Sequence, residues 1–168
     1  MFPSLLTRRA AVAALGGAFA AVAGAAAAAP RAGTFRAITI DVAPLAARGS
    51  RQVAELVRRE LARVLPQEFA GRITGASGAP TLVVRVTSLS LAGWAGGGGV
   101  RGRGTFDTDY LEGEALIVPA AGRAGTARVP ILSAVPASSS GAWYLPDIEE
   151  RRIAYIAAHF AGWLARKV

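Results

Sequence analysis

The sequence predicts one α+β domain, a two-layer sandwich in which a mixed four-stranded sheet carries two helices on one face. Three observations lead to this fold class. Residues 81–91 form a long β-branched and leucine-rich run, apolar residues recur at helical spacing after Ser50, and two further strand-like runs follow. With 168 residues and 52% hydrophobic side chains, the chain has enough material for one core and too little for two domains.

Thr81 to Leu91 is predicted as the central strand of the sheet. Its residues are apolar on both alternating faces, which is typical of a strand that is covered on both sides. The two faces carry Leu82, Val84 and Val86, and Val83, Leu89 and Leu91, respectively. The apolar phase changes near Thr87 and Ser88, and this change predicts a β-bulge.

Before this strand, the pattern predicts a strand and a helix. Phe35 to Val42 alternates in the manner of a strand, and Pro44 to Gly49 is expected to break it. Ser50 is placed to cap an amphipathic helix that we expect to end at Pro66. A strand, a helix and a strand in this order imply a right-handed crossover, so the first strand should run parallel to the central one.

Two strands and a helix complete the predicted order β-α-β-β-β-α. The strands are Tyr110 to Val118 and Arg128 to Val135, and Pro130 places the latter at an edge because proline cannot donate to a ladder. The closing helix begins at Asp147, which stands three residues before Glu150, close to the capping-box pattern.

The charge balance is strongly basic, with a formal net charge of +8 and arginine at 18 of the 19 basic positions. One interpretation is a genome of high GC content, and the other is a surface for anionic partners. Scattered arginines favour the first interpretation, because a binding patch requires clustering. The chain has no cysteine, which excludes disulfides, thiolate metal sites, a catalytic thiol and a lipid-modified cysteine.

Residues 1–29 have the three-part layout of an export signal. Arg8-Arg9 precede a long apolar stretch, and Ala27-Ala28-Ala29 supply the small residues that a signal peptidase requires, so we expect cleavage near Ala29. The stretch is mostly alanine and glycine, which favours a cleaved signal over a membrane anchor. A twin-arginine signal and a Sec signal both remain open. The mature protein is therefore expected to be periplasmic or secreted, as residues 30–168.

Residues 95–104 are rich in glycine and are predicted to form a flexible loop, because they cannot bury enough side chain to offset the entropy cost of ordering. Arg101 and Arg103 lie within this segment and could contact an anion. We favour the interpretation as a flexible connection. An isolated RGRG run is weak support for RNA binding, and an exported protein seldom meets RNA, so no nucleic-acid partner is expected.

An acidic group precedes and enters the third strand, and it is the best candidate for a cation site in the sequence. Hard cations require several carboxylates in one small sphere. The spacing of the group does not match a calcium loop, and strand alternation separates its members, so solvent-exposed strand polarity is favoured and no metal site is predicted. The group consists of Asp107, Asp109, Glu112 and Glu114.

Three aromatic or imidazole side chains are spaced four residues apart in the closing helix. Helical geometry places Tyr155, His159 and Trp163 in one row beside the apolar stripe, with Arg152 and Arg166 at its sides. One interpretation is a partner-binding row that docks into a groove. The alternative is that the two large aromatic side chains cover the rim of the sheet while His159 faces water.

Catalysis is not predicted. His159 is the only histidine, so a Ser-His-Asp set would have to combine it with a serine among Ser138–Ser140 and an acid such as Asp147. That region lacks the G-x-S-x-G turn which exposes a nucleophile. Glu112 and Glu114 are too close and too exposed for the split pKa values that a glycosidase needs. We therefore expect neither an enzyme nor a cofactor.

The element order, the acidic stretch from Asp109 to Glu114, the Gly122-Arg123 hairpin tip and the alanine-rich closing helix resemble small secreted bacterial domains of unknown function. In layout these are similar to the amino-terminal domain of the Tol-Pal periplasmic protein and to related envelope lipoproteins. The resemblance covers nearly all of the mature chain. It is topological, so it transfers no functional residues.

Together these patterns predict a non-catalytic exported module that binds another cell-envelope component. The partner is expected at the exposed sheet face, at the edge strand, or at the row formed by Tyr155, His159 and Trp163. Peripheral contact with a membrane is compatible with this hypothesis. The alternative is a carrier of a small ligand or anion, with Arg101 and Arg103 in the glycine-rich loop as the anion-binding residues.

Overall fold

The computed structural model describes residues 33–93, 108–121, 125–142 and 144–168. These residues form four strands, three α-helices and one short 3-10 helix, and they confirm the α+β fold class. In chain order the elements are β1 (Ala37–Asp41), α1 (Ala43–Arg48), α2 (Arg51–Glu68), β2 (Thr81–Ser90), β3 (Thr108–Val118), β4 (Ala127–Pro136), the 3-10 helix Ala137–Ser140 and α3 (Ile148–Lys167).

The sheet is mixed and has the strand order β1-β2-β3-β4. β1 pairs with β2 in parallel, and the other two pairings are antiparallel, so the predicted parallel pairing of β1 with β2 and the edge position of β4 are confirmed. The β2–β3 register shifts between Val86 and Ser88, which confirms the predicted bulge. The bulge returns Leu89 to the helix side, where it packs against the core opposite Leu111.

The two long helices cover one face of the sheet. α2 contacts β1, and α3 contacts β3 and β4, while the two helices also pack on each other. The core between the layers joins alternate strand residues such as Leu82 and Leu111 to helix residues such as Leu61 and Phe160, all fully buried. Gly113 of β3 allows Phe160 to approach the strand, because a Cβ at this position would lie 3.1 Å from the Phe160 Cζ.

The prediction that residues 44–49 only break β1 is wrong, since Ala43 to Arg48 form α1. Pro44 lies in the first turn of this helix, where its missing N–H has no intrahelical role. The Asp41 Oδ1 accepts the Ala43 N–H at 3.0 Å, and Leu45 enters the core. A short helix can therefore follow β1 directly.

Two predicted helix boundaries also need correction. α2 continues through Pro66 to Glu68, and burial of Leu65 and Phe69 stabilises this last turn despite the proline. The predicted cap of Ser50 is present, with its Oγ 3.5 Å from the Val53 N–H. Asp147 lies at the start of α3 without capping it, because its carboxylate pairs with Arg151 instead.

The expectation that β2 is covered on both sides is wrong for the described residues. Leu82, Val84 and Val86 are fully buried under the helices, whereas Val83 and Arg85 on the opposite face are only half-buried. The apolar residues of that face reflect β propensity and partial cover by neighbouring strands. The face opposite the helices is therefore the less covered one, although Leu116 is buried there, and we call it the open face.

Arg72 connects the start of the sheet to the end of α3. Its guanidinium donates to the carbonyls of Ala165 at 2.9 Å and Val168 at 2.6 Å, and it stacks on Phe35 and Phe69. A cation at these carbonyls complements the negative end of the helix dipole. The contact fixes the carboxyl end of α3 over the sheet.

The predicted signal at residues 1–29 and the predicted loop at residues 95–104, including Arg101 and Arg103, lie outside the described residues. Within the described part of the chain, none of the helices combines the length and apolar character that a membrane crossing requires.

Candidate functional site

The row predicted as a partner-binding surface lies on the flank of α3 that faces the β4 edge. We call Tyr155, His159 and Trp163 the aromatic ridge. Tyr155 is 44% exposed and Trp163 is 40% exposed, although both are large hydrophobic side chains. At 1.5 Å of rise per residue, the ridge extends for about 12 Å along the helix.

His159 anchors the centre of the ridge to the sheet. Its Nδ1 lies 2.7 Å from the Oγ of Ser133, and the two groups share a hydrogen bond between α3 and β4. Ser133 is fully buried, so the imidazole is held by a rigid strand. His159 is half-buried and its Nδ1 is bonded to the sheet, so the alternative interpretation does not hold for this nitrogen. A single serine in an alternating strand carries no signal for this pairing with a residue 26 positions away.

The carboxyl end of the ridge is cationic. The guanidinium carbon of Arg166 lies 4.7 Å from the Trp163 ring centroid, and the Lys167 Nζ lies 6.0 Å from it. The rings of His159 and Trp163 meet edge to face at 6.4 Å. Cations over an indole ring are attracted to its negative face and restrict its motion. The ridge thus combines exposed aromatic area with positive charge at one end.

Arg152, which was expected at the side of the ridge, is buried. Its Nε donates to the Asp109 Oδ2 at 2.8 Å, and its Nη2 donates to the Asp109 Oδ1. The same Nη2 also donates to the carbonyl of Ala92, at 2.9 Å. The Ala92 N–H in turn donates to the Asp109 Oδ1 at 2.9 Å. This buried pair joins the end of β2, the start of β3 and the first half of α3.

The acidic group does not form a cation site among the described residues. Asp109 points into the helix layer and is paired with Arg152, while Glu112 and Glu114 lie on the open face of the sheet. Asp107 lies outside the described residues. No three histidine, cysteine or acidic side chains converge on one point in the described part of the chain.

The open face carries a row of alternating charges across the four strands. Arg85 lies 2.8 Å from Asp41 and 3.3 Å from Glu114, and Arg128 lies 3.4 Å from the other oxygen of Glu114. The hydrogen bond from Arg85 holds the pKa of Asp41 below its ordinary value, and Asp41 raises the pKa of Arg85 in turn. The row pairs two arginines with two carboxylates, so its formal charges cancel.

The geometry around His159 does not match a hydrolase. The serine that meets His159 is Ser133, and a buried hydroxyl cannot be reached by a substrate. Ser138–Ser140 form the short 3-10 helix with Ala137, and Asp147 is paired with Arg151. That ion pair lowers the pKa of Asp147, with the hydrogen bond from Arg151 as the main cause. Among the described residues, the serine that contacts His159 is therefore not accessible to a substrate.

The free edge of β4 runs beside the ridge and is poor in hydrogen-bond donors. Ladder bonds alternate along a strand, and Pro130 has no N–H, so the even-numbered residues of β4 direct their peptide groups outward. Pro130 and Pro136 interrupt this outward series. Proline on an outer strand is a known protection against strand addition. A partner of the ridge would therefore contact side chains more than backbone.

Neither a scan against protein-family models nor a search of curated proteins finds a match to this chain. The layout shared with the amino-terminal domain of the Tol-Pal periplasmic protein stays a prediction. The surfaces of the chain itself therefore carry the functional proposals.

Proposed function

We propose that the chain is a non-catalytic, exported binding module that docks another component of the cell envelope through the aromatic ridge. The observation that carries the proposal is the hydrogen bond between Ser133 and His159, which fixes the middle of an exposed aromatic row. Large aromatic side chains in a fixed geometry lose little conformational entropy on binding. They also supply most of the binding energy in typical interfaces.

The charges of the ridge define the chemistry of the partner. Arg166 and Lys167 lie over Trp163, whereas Tyr155 has no cation of this kind among the described residues. A complementary surface would be apolar opposite Tyr155 and would present carboxylates opposite Trp163. The export-like layout of residues 1–29 supports a partner in the cell envelope.

The absence of a catalytic role is supported by the same geometry. His159 is bound to a buried hydroxyl, Asp109 is bound to Arg152, and Glu114 is bound to Arg85 and Arg128. Each of these titratable groups has a structural partner. A general acid or base needs instead to face a space where a substrate can sit.

Capture from envelope extract by the immobilised full chain tests the proposal. We expect one component to be retained by the wild type and lost with the double substitution Tyr155→Ala and Trp163→Ala. Tyr144→Ala is the matched control, because Tyr144 is 71% exposed and lies outside the ridge. Retention of the same component by the double variant, or no component with the wild type, would contradict the proposal.

A further inference from the structure

A second surface, at the opposite edge of the sheet, combines an apolar groove with a free strand edge. The groove has a volume of about 320 Å³ and lies between β1, the last turns of α2 and Ile73. Ile73 is 40% exposed, and Ile38 and Ile40 are only half-buried although they face the helix layer. Apolar residues left open beside an edge strand are typical of a ligand groove.

The backbone of β1 offers unpaired hydrogen-bonding groups at this groove. The Pro80 carbonyl accepts the Arg36 N–H, so the chain just before β1 is bonded to the start of β2. β1 is an outer strand of the described sheet and pairs with β2 on one side only. Alternate peptide groups of β1 therefore point away from β2.

Another segment of the chain already pairs with the outer side of this edge at one point, just before β1. Phe35 donates to the Arg72 carbonyl at 2.6 Å and accepts the Thr74 N–H at 2.9 Å, which forms a parallel bridge between Phe35 and Ile73. An extended segment thus pairs at the start of this edge and then turns away. The remainder of the outer edge of β1 continues the same line beside the groove.

We infer that the β1 edge is a peptide-binding site that accepts an extended segment as a fifth strand. Side chains on one face of the added strand would enter the groove, so its sequence should alternate apolar and polar residues. Arg36 lines the groove and has no ion pair in the described part of the chain. The segment should therefore carry a carboxylate near Arg36. This site is independent of the aromatic ridge.

The test uses the full chain and a labelled synthetic peptide of eight residues that alternates valine with threonine and carries one aspartate. Two isomers are N-methylated, one at the valines and one at the threonines. Strand pairing uses only one of these two sets of N–H groups, so one isomer should bind about tenfold more weakly than the parent while the other keeps its affinity. Equal affinities of the two isomers would overturn the proposal.

Substitutions on the protein locate the site. Ile73→Ser should weaken peptide binding about fivefold or more by removing apolar lining, whereas Leu132→Ser on the opposite edge, at a residue that is 59% exposed, should leave binding within about twofold. Arg36→Gln should weaken binding of the aspartate peptide and not of its asparagine counterpart. Fluorescence anisotropy measures all of these affinities.

Three results would overturn the inference. The first is no binding of the parent peptide at about 1 mM, a concentration at which even weak peptide sites are occupied. The second is an equal loss of binding with Ile73→Ser and Leu132→Ser. The third is a dimer in sedimentation experiments that Ile73→Ser dissociates, because the occupant would then be a second copy of the chain.

Discussion

The two outer strands of the sheet differ in length, in backbone chemistry and in what lies beside them. β4 has ten residues, carries prolines at two outward positions and runs beside the aromatic ridge. β1 has five residues, contains no proline and borders an apolar groove. The comparison teaches that the long edge is protected against strand addition, while the short edge keeps its donors and has space for side chains.

The two sides of the domain are also held together differently. On the β4 side, α3 is fixed to the sheet by polar contacts, the Arg152–Asp109 pair and the Ser133–His159 hydrogen bond. On the β1 side, α2 is held by apolar packing, and Ile38 and Ile40 remain partly open. A rigid side with a fixed ridge suits docking of a folded surface, whereas an open apolar edge suits an extended peptide.

The largest loss of unfolding free energy is expected from Arg152→Met, which removes the buried ion pair on the β4 side. The substitution leaves the Asp109 carboxylate buried without its partner, and such a loss costs about 3–5 kcal/mol of unfolding free energy. Arg151→Met is the matched control, because its pair with Asp147 is exposed and its loss should change stability far less than the loss of the buried pair. Urea denaturation measures both values. Similar losses in the two variants would show that the buried pair does not hold α3.

Ser133→Ala removes the hydrogen bond that joins the ridge to the sheet, and its loss of unfolding free energy should be smaller than that of Arg152→Met. The substitution removes the partner of His159 Nδ1, and a lost hydrogen bond of this kind costs about 1 kcal/mol. We expect capture of the envelope component to weaken although the fold is retained. Unchanged capture, with unchanged stability in urea denaturation, would show that the ridge does not depend on its anchor.

Asp41→Asn tests the end of β1 through its pH dependence. Because Arg85 lowers the pKa of Asp41 in the folded state, the ion pair stabilises the fold above about pH 4 and loses this contribution as the pH falls through the lowered value. Both side chains are about one-third exposed, so we expect a loss of about 0.5–1 kcal/mol at pH 7 that disappears as the pH falls through the lowered pKa of Asp41.

Denaturation at several pH values measures the difference between the wild type and Asp41→Asn. Glu112→Gln is the control, because Glu112 lies on the same open face without an ion pair among the described residues. A difference in unfolding free energy that does not shrink as the pH is lowered below about 4 would contradict the assignment to the carboxylate of Asp41.

Pro130→Thr should have the smallest effect on stability, within about 0.5 kcal/mol, because the residue is exposed and its outward position makes no ladder bond. The substitution returns a donor to the β4 edge. We therefore expect increased self-association at high protein concentration, measured by sedimentation velocity. If the variant associates no more than the wild type, proline is not what protects this edge.

Local patterns predicted most of the fold. Alternation located the four strands and the bulge in β2, and Pro130 identified the outer strand, because these features depend on residues that are close in sequence. The α1 helix was missed because Pro44 was interpreted as a break and not as a first-turn residue. The continuation of α2 through Pro66 was missed because its stabilisation comes from tertiary burial.

The site was predicted less completely, because its contacts join distant residues. The ridge was found from helical spacing, but its anchor at Ser133 was not. Arg152 did leave a signal, since it stands four residues from Ile148 and from Ile156 within the buried stripe of α3. A charge at such a position indicates a buried partner. The groove beside β1 has no sequence signal, because it depends on how far α2 covers the sheet.

Amide hydrogen exchange, followed by NMR on the full chain with and without the valine-threonine peptide, compares the two edges most directly. The account predicts rapid exchange of the outward N–H groups of β1, which are every second residue of Ala37–Asp41, in the free protein. With peptide bound, the exchange of these same groups should be at least about tenfold slower, and the exchange of the Leu132 and Ala134 N–H groups on β4 should not change. Protection that appears at Leu132 and Ala134, or that fails to appear along β1, would contradict the account.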